Sequence, residues 1–228
     1  MPKALIVGAS RGLGLGLVEE FARRGWEVLA TVRDPARAPE LGQLALGGKT
    51  RIEPLDVTRT ETAAALDEAL ADEVFDLLFL NAGMGNPPGK RVANVSDAEM
   101  WALFETNALG PVRTAEMLAG HVRPRTGVVA FMTSRLGSVA DKTSEHAELY
   151  SATKAALNSF SRSFAARHTQ ERLTVLSLHP GWVRTEIGGP NAPLDVETSV
   201  RGLADVVEAA RGTGVHRFLD YTGAEIPW

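Results

Sequence analysis

Ala4-Leu5-Ile6-Val7-Gly8-Ala9-Ser10-Arg11-Gly12-Leu13-Gly14 decides the fold. Residues 4–7 form an uninterrupted apolar run of strand length, and residues 13–23 carry apolar side chains at helical spacing. Between them stand the glycines of Gly8-x-x-x-Gly12-x-Gly14. One glycine permits a tight turn, another lets backbone approach a phosphate, and the amino terminus of the next helix favours negative charge. Strand, glycine turn and helix in that order read as a dinucleotide-binding unit.

The same alternation continues outward. Strand-like runs lie at 28–32, 51–55, 76–80, 127–132, 173–178 and 216–219. Helical stretches fill the intervals: from the second strand to about Leu46, then 60–71, 149–167 and 196–210. Ser96, with Glu99 three residues on, reads as a capping box that opens a helix running past Asn107 to about Leu118. Several strands are near-continuously apolar, so both of their faces are buried. The expected architecture is α/β: a single Rossmann-type doubly wound domain over 1–228, with about seven mainly parallel strands and helices on both faces. The glycine- and proline-rich segments 84–89 and 188–193 follow strands, on the side where such sheets bind ligands.

Bulk composition narrows the function. The 228 residues suit one well-buried domain, and 44% are apolar. A net charge of −4 with mixed signs gives no footprint for nucleic acid. No apolar run approaches the roughly 20 residues that span a bilayer, and the chain enters its first strand at once, with no expected signal peptide. The absence of cysteine excludes disulfides, thiolate metal sites and a cysteine nucleophile, and fits a cytoplasmic protein. His121, His146, His168, His179 and His216 are scattered without metal-ligand spacing, so no metal is expected. Gly-x-Ser-x-Gly, the hydrolase elbow, does not occur.

Far downstream stands Tyr150-Ser151-Ala152-Thr153-Lys154. Residues four apart share a helix face. A free phenol titrates near about 10, and a nearby ammonium favours the phenolate, which brings the proton within reach of neutral pH. Ser134, at the end of the fifth strand, can offer a hydroxyl to a substrate oxygen; Ser138 is the alternative.

These strings stand in register with Asp56-Val57, Asn81-Ala82-Gly83, Asn107, Ser134-x-x-Gly137 and Pro180-Gly181-Trp182-Val183-Arg184-Thr185. Over essentially its whole length the chain resembles the short-chain dehydrogenase/reductases. Residues 134–141, 179–185 and 218–228 make it most similar to the C-factor/sniffer-like carbonyl reductases. The resemblance implies hydride transfer between a nicotinamide and a small carbonyl or alcohol substrate, with Tyr150, Lys154, Ser134 and Asn107 as the catalytic set. Asn107 would kink its helix and hold a water linking Lys154 to solvent. The interval from Ser134 to Tyr150 is longer than the family's usual one. The implied cofactor contacts are the turn residues Gly8, Ser10, Arg11, Gly12, Leu13 and Gly14. Asp56 and Val57 would meet adenine; Asn81, Ala82 and Gly83 would border the ribose, with a purely structural role for Asn81 equally open. Tyr150 and Lys154 would reach the nicotinamide end. There Pro180 and Gly181 turn the chain, while Val183 and Thr185 hold the carboxamide. Trp182 either walls the pocket or packs inside.

Thr31 or Val32 falls at the position that discriminates the two nicotinamide cofactors, with Arg33 just after it. Arg33 and Arg11 near one phosphate would form a charge-assisted site. In the family this implies NADP(H), while Asp34 leaves NAD(H) open. Segments 84–92 and 186–194 are expected to select the substrate. The resemblance also implies a homodimer or homotetramer through the Tyr150 and Asn107 helices. A rival reading is a signalling or sensor protein that binds NAD(P) and turns over weakly.

Overall fold

A computed structural model describes residues 1–45 and 47–228. The elements in chain order are β1 (Lys3–Val7), α1 (Gly12–Arg23), β2 (Glu27–Val32), α2 (Pro39–Ala45), β3 (Thr50–Pro54), α3 (Thr60–Leu70), β4 (Leu77–Leu80) and α4 (Asp97–Phe104). Then come α5 (Gly110–Leu118), β5 (Val128–Met132), α6 (Glu148–Arg167), β6 (Thr174–His179), α7 (Val196–Ala210) and β7 (His216–Asp220). The expected end of the second helix, at Leu46, lies outside the described residues.

The strands form one seven-stranded sheet in the order β3-β2-β1-β4-β5-β6-β7. Every ladder between neighbouring strands is parallel, where a mainly parallel sheet was expected. Period-two alternation divides the core into two layers. Ala4 and Ile6 of β1, with Leu77 and Phe79 of β4, join Leu17 and Phe21 of α1 and Leu203 and Val207 of α7. Leu5 and Val7, with Leu78 and Leu80, face the opposite way, into Leu66 of α3, Leu118 of α5 and Phe164 of α6. Each fully buried Leu or Phe contributes about 1.5–3 kcal/mol relative to an exposed one. Both faces being covered is why these strands read as unbroken apolar runs.

The order reverses at β1, whose sequence neighbours lie on one side and β4 on the other. At such a point the loops leave in opposite directions and open a crevice beyond the carboxyl ends of the strands.

The helix capped by Ser96 starts as expected, with both halves of its capping box formed. It reaches Leu118 through a π-turn at Glu105–Leu109. Pro111 explains the turn. It has no N–H to donate, and its ring would crowd the carbonyl of Asn107, four residues back, in a regular helix.

Candidate active site

The glycine turn closes the amino end of the crevice. Gly8 (φ +87) and Gly12 (φ +54) occupy the left-handed region that glycine enters freely. A Cβ on Gly8 would come within 2.7 Å of the Ala82 backbone. One on Gly14 would collide with the Gly8 carbonyl and lie 2.6 Å from Asn81 Nδ2. The Gly8 and Ala9 N–H groups both donate to the Thr31 carbonyl, at 3.1 and 2.9 Å. The first bond of α1 runs from the Leu15 N–H to the Arg11 carbonyl, and Arg11 gives no side-chain cap. The N–H groups of Gly12, Leu13 and Gly14 therefore precede the helical ladder, available to an anion. Ser10 is exposed beside them, while the Leu13 side chain packs into the core beneath.

Asn81 has a structural partner: its Nδ2 donates to the Gly8 carbonyl at 2.7 Å and fastens β4 to the glycine turn. Ala82 supports the turn from below, as the Gly8 contact requires. At the end of β2, Thr31 and Val32 are both buried, so neither can face a ligand there. Arg33 is the first exposed side chain after them. Asp34 accepts from the Ala36 N–H at 3.0 Å and caps the turn that follows. Arg11 pairs with Glu186 across the crevice at 2.6 Å. Asp56 Oδ1 accepts from the Thr58 N–H and hydroxyl. Val57 is buried, so only its backbone could meet a ligand.

At the other end, Ser134, Tyr150, Lys154 and Asn107 come together. Ser134 caps a short turn by accepting from the Leu136 N–H at 3.1 Å, and Gly137 ends that turn. A Cβ on Gly137 would come within 2.7 Å of the Lys154 carbonyl carbon. The serine-to-glycine spacing thus lets the turn press onto α6 beside Tyr150 and Lys154. Burial pushes the Tyr150 phenol up to about 12, and a hydrogen bond with the Ser134 side chain pulls the other way. Burial therefore outweighs the lowering expected from a neighbouring ammonium, and the phenol holds its proton at neutral pH. Lys154 Nζ lies 5.6 Å from the centre of the Tyr150 ring and donates to the Met132 carbonyl at 2.8 Å. Burial pushes this ammonium down to about 8. Ser138 is differently engaged: its hydroxyl accepts from the Asp141 N–H.

Asn107 sits in the π-turn, fully buried. Its Oδ1 accepts from the Met84 N–H at 2.7 Å, and its Nδ2 donates to the Met84 carbonyl and to Thr153 Oγ1. Thr153 went unnoticed in the sequence. It is fully buried, and its place inside the Tyr150–Lys154 interval was the available signal.

Beyond β6, Pro180 and Gly181 (φ +83) turn the chain, and a Cβ on Gly181 would strike Leu194 Cδ1. Val183 is buried, and Thr185 Oγ1 accepts from the Gly188 N–H at 3.1 Å. The Thr185 methyl lies 3.5 Å from where a Cβ on Gly12 would stand, so this loop meets the glycine turn across the crevice. Trp182 is 56% exposed, which excludes a packing role. Among the described residues no three His, Cys, Asp or Glu side chains form a metal-binding group. No helix there is long and apolar enough to cross a membrane.

Residues 2–193 match the family model for short chain dehydrogenases. The chain is 41% identical to C-signal of Myxococcus xanthus over 154 residues, 67% of this chain and 92% of that one. A Burkholderia multivorans protein assigned to the short-chain dehydrogenase/reductases, solved with bound NADP, is 48% identical with a TM-score of 0.95. It matches over 100% of this chain and 99% of its own. A carbonyl reductase from Pseudomonas aeruginosa PAO1 in complex with NADP is 43% identical with a TM-score of 0.93, over 100% of both chains.

Proposed function

The chain belongs to the short-chain dehydrogenase family and is related to its C-factor/sniffer-like carbonyl reductases, and from that premise we propose that it is an NADP(H)-dependent oxidoreductase acting on carbonyl and alcohol carbons. The observation that carries the reading is the convergence of three side chains: Ser134 lies close enough to the Tyr150 phenol to act on its proton, and the Lys154 ammonium lies 5.6 Å from the centre of the same ring. The solved relatives that bind NADP favour that cofactor over NAD.

The residues fit such a group. Gly8 and Gly14 let the turn close tightly against Ala82 and Asn81, and three N–H groups stand outside the α1 ladder beside it, as anion donors would. Gly8, Ser10, Gly12, Leu13 and Gly14 would hold the pyrophosphate, and Arg33 with Arg11 of the same turn the 2′-phosphate. Asp56 and Val57 would border the adenine. Asn81, Ala82 and Gly83 support the ribose wall, and Pro180, Gly181, Val183 and Thr185 the carboxamide. A bound reduced nicotinamide supplies the hydride. Tyr150 releases its proton to the carbonyl oxygen as charge builds there, and the Ser134 hydroxyl donates to the same oxygen. Lys154 keeps a positive charge close to the departing proton. Asn107 holds Met84 and Thr153 and so fixes the floor of the site. For an alcohol, Tyr150 and Ser134 run the same exchange in reverse. We read the chain as one domain over 1–228, cytoplasmic, and assembled as a dimer or tetramer through the α4–α5 and α6 surfaces.

The test is NADPH oxidation over a panel of aldehydes, ketones and diketones, with wild type and Tyr150→Phe. We expect turnover in the wild type and a loss of at least about 100-fold in kcat for the variant. Activity that survives Tyr150→Phe removes Tyr150 as proton donor. The match to C-signal favours a second reading, a sensor, and tight NADPH binding without turnover on any carbonyl would select it.

A further inference from the structure

The amino end of α6 lacks a cap of its own. Its N-cap residue is Ala147, held left-handed at φ 48 with no side-chain hydrogen bond to the helix. The first intrahelical bond is from the Ser151 N–H to the Ala147 carbonyl at 2.8 Å. The N–H groups of Glu148, Leu149 and Tyr150 thus need partners from elsewhere. Tyr150 stands third in the helix, where a capping Ser or Asp side chain would ordinarily deliver its oxygen. That oxygen comes from Asn86, 64 residues earlier, whose Oδ1 accepts from the Tyr150 N–H at 3.2 Å.

The same amide shapes its own loop. Asn86 Nδ2 donates to the Pro87 and Lys90 carbonyls, both at 3.1 Å. Two more ties fasten this loop to the start of α6. Glu148 Oε1 accepts from the Val92 N–H at 2.6 Å, and Arg91 forms a two-pronged pair with Glu145, both arms at 3.0 Å. Two residues before Asn86, the Met84 backbone is held at both its N–H and its carbonyl by Asn107. One loop therefore grips the π-turn through Met84 and the Tyr150 backbone through Asn86.

We propose that Asn86 is a positioning residue: a cap supplied in trans that sets the rotation of the first turn of α6 and thereby the aim of the Tyr150 hydroxyl at Ser134. Asn86 touches neither substrate nor reacting atoms, and the assignment rests on the reading of Tyr150 as proton donor. It makes the loop that follows β4 part of the proton-transfer geometry as well as part of the substrate wall.

The chain has two tyrosines, Tyr150 and Tyr221, so ring-labelled tyrosine gives two NMR signals, assigned with Tyr150→Phe. In Asn86→Ala we expect the Tyr150 signal to move and the Tyr221 signal to stay. We expect kcat to fall about tenfold with the KM for NADPH unchanged. Asn86→Asp keeps an acceptor for the Tyr150 N–H, and its charge suits a helix amino terminus, so it should bring both readouts back toward wild type. An unmoved Tyr150 signal in Asn86→Ala overturns the proposal, and so does an Asn86→Asp variant that matches Asn86→Ala. Should Asn86→Ala not fold, Asn86→Gln, which displaces the amide by one methylene, carries the same comparison. A wild type that turns over no carbonyl would remove the proposed activity, while the NMR comparison would still decide the role of Asn86.

Discussion

Lys154 is 3% exposed, and its Nζ is satisfied by a backbone carbonyl and not by a carboxylate. Burial without a counter-charge is what brings its pKa down to about 8. The positive charge is present below that pH and lost above it, whereas the Tyr150 proton, held to about 12, persists through the same range. Carbonyl reduction should therefore hold a plateau below about pH 8 and decline above it. A kcat/KM profile checks this, and Lys154→Arg, which stays charged, should lose the decline even though its bulk lowers the plateau. A decline of equal midpoint in Lys154→Arg would assign it elsewhere. This pair was legible in the sequence because both members lie within one helical turn. The Asn86 cap was not, because the sequence carries no sign that two residues 64 apart will meet. Nor was the identity of the exposed residue at the end of β2. Thr31 and Val32 alternate between two layers that are both buried, so the alternation itself does not say where exposure begins.

The element that carries the glycine turn is α1, and its packing against α7 fixes the crevice. Gly16 lets the helices close: a Cβ there would meet Val196 Cγ1 at 2.6 Å and Val200 Cγ1 at 3.2 Å. At the far end of the contact, Arg24 is clasped by Glu20, Asp205 and Glu208, each at 2.7 Å, and donates to the Arg201 carbonyl. Its side chain is only 14% exposed and that of Glu20 only 6%, so water does not replace the Glu20 partner, whereas Asp205 and Glu208 stay open to solvent. Arg24→Met should destabilise the protein by about 2–4 kcal/mol in urea unfolding, since it strips a buried carboxylate of one of its cations. Arg23, which also binds Glu20, keeps the loss from being larger. A change under about 1 kcal/mol would show that the cluster is solvated. Helix spacing, capping and strand length were readable here because each is local. The π-turn was not, because it depends on where the Pro111 ring lies relative to a carbonyl one turn earlier.

At the scale of the whole molecule, alternating strands and helices dictated a doubly wound sheet, and a sheet buried on both faces leaves certain polar groups with nowhere to go. His179, at the end of β6, has Nδ1 buried and without a partner among the described residues, and burial, with Arg135 adding to it, holds its pKa down to about 4. His216, on β7, is held at about 4 by burial and by Arg162, and its ring packs 4.8 Å from Trp228. Both start from 6.5 in the unfolded chain. Above that value neither state binds the proton and the native advantage is complete. As the pH falls below it, the unfolded chain takes up protons that the native state refuses until about 4, so stability falls with falling pH across this window. The slope is at most about 1.4 kcal/mol per pH unit for His179 and smaller for the partly exposed His216. The buried carboxylate of Glu20 is held below its ordinary value, chiefly by its hydrogen bond with Arg23, and begins to matter only under about 4.5. His121 and His168 lie beside Asp67 and Glu116 in wild type and variant alike. The deciding comparison is therefore between proteins: urea unfolding at pH 7 and pH 5 for wild type and for His179→Gln/His216→Phe. The variant should lose less stability between the two pH values than the wild type does. Equal losses would mean that these two histidines do not drive the acid sensitivity of the fold.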